Sequence, residues 1–303
     1  MFTVPSHSPS VHICLATYNA GGYLKEQLDS IQRQTYTNWT CLIRDDGSTD
    51  QTKEILLDYC AKDKRFKWIN PENQTNLGSH RSFYELVKYQ EADFYFFCDQ
   101  DDVWKDNKID TFLSAYNGDD TTPQLLYSSW TSVDESLTLI KENTPTTTLS
   151  EQLVFNQING MSMMLNKELA RLWRYRQCGL HDSYVATLAF VIGQVTYIPE
   201  STILWRRQSN AGSLANFGRS YGVETFWKMV HTSQERTAYL LEDYQQYMAD
   251  STKQLLTDFV TLPHKNILRR GWLLCRMYLH RKSFPETIAM NLLLLTNYKN
   301  TKN

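Results

Sequence analysis

The 303-residue sequence has no long apolar run, no paired-cysteine motif and no low-complexity tract. A membrane-spanning helix needs about 20 consecutive apolar residues, and the apolar stretch at Leu292–Leu295 is far shorter. The six cysteines include no C-x-x-C spacing, which argues against a zinc site or a redox pair. The polar start, Met1 to Ser10, does not have the form of a signal peptide. We therefore expect an ordered, globular protein of the cytoplasm.

A large net charge is also missing, but the charge that is present is unevenly distributed. The formal net charge is -2, while residues 264–303 carry eight Lys and Arg side chains against Glu286 alone. The tail is therefore at +7 and the preceding residues at about -9. An acidic body argues against a nucleic-acid partner. In the tail, Lys265, Arg269 and Arg276 share one side of a predicted helix, with Ile267 and Leu268 among the apolar residues opposite. This pattern predicts either docking on an anionic membrane or a helix packed on the protein with its basic face in water.

Strand-like and helix-like segments alternate over the first 130 residues, which predicts a mostly parallel sheet with helices on both faces. Apolar runs typical of strands lie at Val11–Ala16, Trp39–Ile43, Phe66–Ile69 and Phe94–Cys98. Further strands are predicted at Leu125–Ser128, Ser162–Leu165, Val195–Ile198 and Ile203–Trp205. From Tyr221 onward the sequence has mainly helical periodicity.

Polar residues follow three of the predicted strands, where ligands bind in open α/β sheets. After the fourth strand, Asp99, Asp101 and Asp102 place three mutually repelling carboxylates within four residues. Oxygen ligands of this kind suit Mg²⁺ or Mn²⁺ held together with substrate phosphates. The alternative is a solvated acidic turn that caps the next helix.

Asp45 and Asp46 follow the second strand. Gly47 permits a tight turn and Asp50 can cap the next helix, so both have structural explanations. The adjacent carboxylates do not. A carboxylate at this strand end can accept the N3–H of uracil or thymine, which predicts selection of a pyrimidine nucleotide.

The motifs ATYNAGGYL, RDDGSTD, NLG, CDQDDVW, INGMSMMLNKEL, HDSYVATLAFVIG and LWRRQSNAGS follow one another between Val11 and Ser213. In this order they resemble bacterial family 2 glycosyltransferases with the GT-A fold. Among these, the chain is most similar to rhamnosyltransferase-type members that build wall or capsule polysaccharides.

The resemblance implies a role for each matching residue. Nucleotide contacts fall on Thr17, Tyr18, Asn19, Asp45, Asp46, Arg81 and Asp99, with Asp46 holding the base. Arg81 is placed near the diphosphate, or is an ordinary surface arginine. Asp101 would bind the metal, and Asp99 the metal or the ribose. The acceptor or diphosphate side receives Asp102, Trp104, His181, Arg206 and Arg207. Asp182 matches the general base and can also cap its helix.

One position departs from the family pattern. Gln208 stands where relatives carry a histidine that helps to bind metal or diphosphate. The missing imidazole predicts a change in metal affinity or in donor positioning.

Together these features predict an α/β protein of GT-A type with a helical C-terminal region. Residues 1–215 would form the catalytic domain, with nucleotide-sugar binding over 11–130 and the acceptor side over 131–215, and residues 216–303 the helical region. The expected reaction is inverting, uses Mn²⁺ or Mg²⁺, and moves L-rhamnose from dTDP-rhamnose to a lipid-linked or oligosaccharide acceptor at the inner face of the membrane. The alternatives are a UDP-hexose donor, a metal-dependent phosphoesterase and a non-catalytic sugar-binding protein.

Overall fold

The computed structural model describes residues 8–207, 222–281 and 283–298. The chain divides into two compact units. Unit 1 comprises Met1–Pro145, Ile158–Tyr175 and Gly193–Ala215, and unit 2 comprises Thr146–Gln157, Arg176–Ile192 and Asn216–Asn303. These units do not follow a single cut at residue 215, because two earlier segments group with the C-terminal helices. The predicted domain boundaries stay a prediction.

Unit 1 contains all the strands of the described part of the chain, joined in one sheet. They are β1 (Val11–Thr17), β2 (Trp39–Asp45), β3 (Phe66–Trp68), β4 (Phe94–Cys98), β5 (Val103–Trp104), β6 (Gln124–Val133), β7 (Leu139–Asn143), β8 (Met163–Asn166) and β9 (Gln194–Arg206). The sheet order is β3-β2-β1-β4-β8-β6-β9-β5, with β7 paired to β6. Parallel pairing joins β1 to β2 and β4, β2 to β3, and β6 to β9.

The helices of the described residues alternate with the strands and then fill the C-terminal part. They are α1 (Leu24–Gln32), α2 (Thr52–Lys62), α3 (Gly78–Tyr89), α4 (Lys108–Ala115), α5 (Leu149–Val154), α6 (Lys167–Leu172), α7 (His181–Ile192), α8 (Val223–Tyr244), α9 (Asp250–Thr261), α10 (Ile267–Met277) and α11 (Phe284–Thr296). The first four and α6 belong to unit 1. Every residue of β4 is buried, as a continuous apolar run predicts for a parallel strand covered on both faces.

The predicted α/β fold with a helical C-terminal region is confirmed. One detail of the strand prediction, at Pro199, was wrong. The two strands predicted around Pro199 are one strand, β9. Ile198 pairs with Ser128 and Ser201 pairs with Ser129, so Pro199 and Glu200 are accommodated by a shift in register. Proline has no N–H for the ladder, and bulges tolerate it.

Unit 2 is helical throughout the part that the structure describes. The 22-residue helix α8 packs against α5, α7 and α9. Thr148 and Glu151 form a capping box that begins α5. Tyr278 ends α10 in the left-handed conformation.

Helix α10 differs from its predicted packing. Leu273, Leu274 and Met277 are buried, whereas Leu268 is 84% exposed and Trp272 is 48% exposed. The exposed side of α10 therefore mixes apolar with basic side chains. No helix among the described residues is long and apolar enough to span a membrane. Three basic residues counted in the tail, Lys282, Lys299 and Lys302, lie outside the described residues.

Candidate functional site

The loops after β1, β2 and β4 lie side by side at one edge of the unit 1 sheet. Thr17, the last residue of β1, pairs with Asp45, the last residue of β2, and Leu15 pairs with Cys98 at the end of β4. Parallel strands in this register bring their carboxyl ends to the same edge. The residues predicted for nucleotide and metal binding after these three strands therefore lie at the same edge, whereas Arg81 lies on α3.

Gln100 fastens the end of β1 to the loop after β4. Its side-chain oxygen accepts a hydrogen bond from the Tyr18 N–H at 2.7 Å, and its amide nitrogen donates to the Tyr18 carbonyl at 3.1 Å. The Tyr18 side chain is 50% exposed, so its ring is available to a ligand. Asn19 takes a left-handed conformation, and its side-chain oxygen accepts a hydrogen bond from the Thr49 N–H at 2.9 Å. Tyr18 thus has a fixed backbone and a solvent-facing ring.

Asp45 is a structural residue by its contacts. One carboxylate oxygen accepts hydrogen bonds from the hydroxyls of Thr17 (2.9 Å) and Ser48 (2.5 Å). The other accepts from the backbone N–H groups of Gly47 (3.2 Å) and Ser48 (2.9 Å). A carboxylate offers about four acceptor positions, and the side chain is fully buried. The geometry therefore supports a role in closing the turn rather than the predicted nucleotide contact.

Asp46 has one carboxylate oxygen that is filled and one that retains capacity. Oδ1 accepts from Arg44, from the Leu77 N–H at 3.0 Å and from the Ser82 hydroxyl at 3.0 Å. Oδ2 accepts from the Gly78 N–H at 2.7 Å. Asp46 thereby anchors the start of α3. A base N–H could be accepted only at Oδ2, which keeps the predicted base contact compatible with the structure.

Arg206 binds the loop that contains Asp101 and Asp102. Its backbone N–H donates to Asp102 Oδ1 at 3.0 Å, and its Nε donates to the Asp101 carbonyl at 2.9 Å. Its other guanidinium nitrogens donate to the Glu135 carbonyl at 2.5 Å and to the Glu26 carboxylate. The side chain is only 1% exposed. The guanidinium is therefore committed to fixing the acidic loop, and this argues against the predicted contact with phosphate.

The acidic loop contains a buried carboxyl group, that of Asp102, whose hydrogen bonds are incomplete. Asp102 is buried, and its Oδ2 has no hydrogen-bond partner in the described part of the chain. Burial, together with the charges of Asp101 and Asp99, raises its pKa well above the ordinary value. Lys108 lies nearby, fully buried, and donates to the Met161 carbonyl at 2.6 Å. Burial lowers the pKa of Lys108 to about 7, although the charges of Cys98, Asp102 and Asp99 act in the opposite direction.

These observations test whether the residues fit a metal. An orphaned carboxylate oxygen among crowded carboxylates is suited to a hard divalent cation. Among the described residues, no group of three or more His, Cys, Asp or Glu side chains is arranged to hold a metal ion. Mg²⁺ is usually bound through one or two carboxylates plus substrate phosphates. Asp99 and Asp101 fit that pattern, in which the donor completes the coordination.

The remaining unit 1 candidates lie in varied surroundings. Trp104 is 1% exposed and packs on Phe96, so it belongs to the core rather than to an acceptor surface as predicted. Arg81, on α3, pairs with Glu85 at 2.6 Å and lies over the ring of Tyr175. The Arg207 backbone N–H donates to the Val133 carbonyl at 2.8 Å. Gln208, the departure from the family pattern, lies outside the described residues.

In unit 2, His181 and Asp182 form the first turn of α7, and both are buried. The Ser183 N–H donates to Asp182 Oδ1 at 2.5 Å. The buried guanidinium of Arg236 donates to the Ser183 hydroxyl at 2.8 Å. Asp182 therefore accepts from the next residue of its own helix, and it has a charged neighbour that the sequence did not indicate.

Several residues that shape these sites were not predicted from the sequence. Gln100, Lys108 and Arg236 lacked an individual signal, because an isolated polar residue in a helix or turn is usually exposed. For Lys108, the only indication was its spacing, because it stands beside Ile109 and four residues before Phe112 on the inward face of α4.

The sheet order, the strand-end loops and the acidic cluster can now be compared with known proteins. Residues 12–172 match the family described as "Glycosyl transferase family 2". The chain belongs to this family. A solved structure described as S. aureus TarS 1-349 in complex with UDP has a TM-score of 0.57 and 17% identity, covering 84% of this chain and 71% of that chain. This likeness confirms the GT-A fold.

Curated relatives of this glycosyltransferase family member are similar to about a third of its length. Escherichia coli WfgD, "UDP-Glc:alpha-D-GlcNAc-diphosphoundecaprenol beta-1,3-glucosyltransferase", is 33% identical over 104 residues, or 34% of this chain and 40% of the relative. Bacillus subtilis TuaG, "Putative teichuronic acid biosynthesis glycosyltransferase", is 30% identical over 105 residues, or 35% and 41%. The chain thus spans about two fifths of the length of these relatives.

Proposed function

We propose that this protein is a glycosyltransferase that moves a sugar from a nucleoside diphosphate donor to a saccharide acceptor in bacterial surface-polysaccharide synthesis. The observation that carries the proposal is the acidic loop of Asp99, Asp101 and Asp102 at the carboxyl end of β4, held in place by Arg206. In a family 2 member, such a loop suits the diphosphate of a sugar nucleotide. The printed names of WfgD and TuaG support the polysaccharide context.

The donor is proposed to carry a pyrimidine base. Asp46 Oδ2 retains capacity to accept the N3–H of uracil or thymine, and the exposed ring of Tyr18 can lie against the base. The resemblance to rhamnosyltransferases favours dTDP-rhamnose. The alternative is a UDP-hexose, which is supported by the printed name of WfgD and by a TarS structure with UDP-GlcNAc.

Metal binding and proton transfer are assigned to different acidic residues. Asp99 and Asp101 would hold Mn²⁺ or Mg²⁺, which when bound supplies positive charge to the leaving diphosphate. A mannosyltransferase of similar fold, at a TM-score of 0.50, is described with GDP-Man and Mn²⁺. The Asp182 carboxylate would accept the proton of the attacking hydroxyl, and attack opposite to the diphosphate would invert the anomeric centre. A positioned base contributes about 10²- to 10⁴-fold.

The acceptor is proposed to be lipid-linked, with the protein working at the inner face of the membrane. Leu268 and Trp272 are exposed on α10, as are Arg269 on the same helix and Lys265 just before it. Apolar side chains ringed by basic ones suit an anionic lipid surface.

A panel of sugar nucleotides tests the proposed reaction. The purified protein is incubated with dTDP-rhamnose, UDP-glucose, UDP-GlcNAc and GDP-mannose, with and without Mn²⁺, and the released nucleotide is measured. We expect release of dTDP or UDP that depends on the metal. Release of inorganic phosphate without sugar transfer would support a phosphoesterase instead, and binding without any turnover would support a sugar-binding protein.

Asp182→Asn tests the base. The substitution keeps the size and much of the capping ability of the side chain. Turnover should fall by about 10²-fold or more while the nucleotide dissociation constant changes little. Equal losses of binding and turnover would make Asp182 a donor-site or structural residue. Near-normal turnover would mean that the base lies elsewhere, with Asp102 the next candidate.

A further inference from the structure

Arg236 is a fully buried cation at the centre of unit 2. Its side chain belongs to α8, and its residue is 4% exposed. One guanidinium nitrogen donates to the Ser183 hydroxyl at 2.8 Å, and the other donates to the Ser233 hydroxyl at 2.8 Å. The Ser233 hydroxyl in turn donates to the Leu153 carbonyl. Arg236 therefore joins the first turn of α7 to α8 and, through Ser233, to the end of α5.

The charge of Arg236 acts on the same turn. Burial lowers the pKa of Arg236 to about 10, while the charges of Cys178 and Asp182 act to raise it. A buried guanidinium without a neighbouring anion is costly. The carboxylate of Asp182, one residue before the serine that Arg236 binds, offsets that cost. In general, a nearby positive charge favours the ionised form of a carboxyl group, which is the form that can act as a base.

We propose that Arg236 is a positioning residue for the general base: it holds the first turn of α7 through Ser183 and places a positive charge near the Asp182 carboxylate. This inference rests on the proposed function of Asp182. The other titratable groups on α7 and on the segments that pack against it include His181, Glu151, Cys178, Glu235 and Asp243. Glu151 pairs with His280, and Asp243 pairs with Arg176. Those two carboxylates therefore have partners of their own.

A double-mutant cycle tests the pair without any substrate. Urea unfolding midpoints are measured at pH 7.5 for the wild type, Arg236→Met, Asp182→Asn and the double variant. The loss of Arg236 removes a positive charge that acts on the buried Asp182, so the double variant should lose less than the two single losses added together. Arg176→Met, which breaks the Asp243 pair in the same unit, is the matched control and should combine additively with Asp182→Asn. Additive losses for the Arg236 pair would overturn the inference.

The pH profile of turnover tests the catalytic consequence. Release of UDP from UDP-glucose and of dTDP from dTDP-rhamnose is followed from pH 5 to pH 9. In Arg236→Met, the acid-side midpoint of kcat should move up by about one pH unit or more. Arg236→Lys, which keeps the charge, should restore most of the midpoint, and Ser183→Ala should leave it unchanged. Arg236→Gln serves if the Met variant does not fold.

The two proposals fail in different ways. An unshifted midpoint in Arg236→Met, with Asp182→Asn inactive, would overturn the role of Arg236 and leave the base assignment intact. Near-normal turnover of Asp182→Asn would overturn the base assignment and, with it, the positioning role, whatever the unfolding cycle shows.

Discussion

Replacing Arg206 by methionine removes the support of the acidic loop while keeping a long apolar side chain. Three contacts of the guanidinium are lost, to the carbonyls of Asp101 and Glu135 and to the carboxylate of Glu26. The backbone N–H of residue 206 still reaches Asp102. The variant therefore tests the side chain of Arg206 alone, because the backbone hydrogen bonds of β9 are kept.

The size of the loss follows from the burial of each contact. The two carbonyl contacts are made by a charged donor that is 1% exposed, and each such hydrogen bond contributes about 1.5–3 kcal/mol. The Glu26 side chain is 54% exposed, so water screens that ion pair and its share is at most about 1 kcal/mol. Arg206→Met should therefore cost about 3–7 kcal/mol of unfolding free energy. Glu26→Gln should cost about 1 kcal/mol or less.

Urea unfolding of both variants, followed by tryptophan fluorescence, measures these losses. Isothermal calorimetry with UDP and Mn²⁺ then reports on the loop in whatever fraction remains folded. We expect nucleotide binding to weaken in Arg206→Met and to stay near the wild-type value in Glu26→Gln. Equal stability losses in the two variants would refute the assignment of Arg206 as the buried anchor.

Three further predictions address the metal, the nucleobase of the donor and the C-terminal tail. Asp101→Ala should abolish metal-dependent turnover with the fold intact, and full wild-type activity in EDTA would remove the metal assignment. Calorimetry should give binding of UDP or dTDP and none of GDP or ADP; tight GDP binding would contradict the pyrimidine assignment of Asp46. Co-sedimentation with vesicles should increase with phosphatidylglycerol and decrease with salt, and Leu268→Ser should weaken it. Leu57→Ser, on a residue of α2 that is 60% exposed, is the matched control, and equal binding to neutral vesicles would favour a packed helix instead.

The strand-end sites of unit 1 were predictable because two local signals agree. Short apolar runs mark the buried strands, and a polar residue directly after such a run has to lie at the sheet edge. Thr17 and Asp46 were placed correctly at this edge by sequence position alone. Trp104, which the family resemblance placed on the acceptor or diphosphate side, instead packs on Phe96 in the core.

The buried cations were not predictable because their positions depend on contacts distant in sequence. Arg206 meets Glu26 across 180 residues, and Arg236 meets Ser183 across 53. Arg206 was predicted to contact phosphate because an arginine after a strand is a reasonable anion ligand. The burial of Arg206 and its full set of acceptors arise only in the folded chain. They show that Arg206 holds the acidic loop rather than a phosphate.

Counting acceptor positions separates acidic residues that maintain the fold from those suited to a ligand. Asp45 has all four positions filled by its own turn and β1, so a ligand would have to displace a protein contact. Asp46 retains capacity at one oxygen, and Asp102 has a buried oxygen without a hydrogen bond in the described chain. An unsatisfied buried carboxylate oxygen is costly, and a structural role alone gives no reason to keep it. A cation held by the same loop would offset that cost, so the unpaired Asp102 oxygen favours the proposed metal.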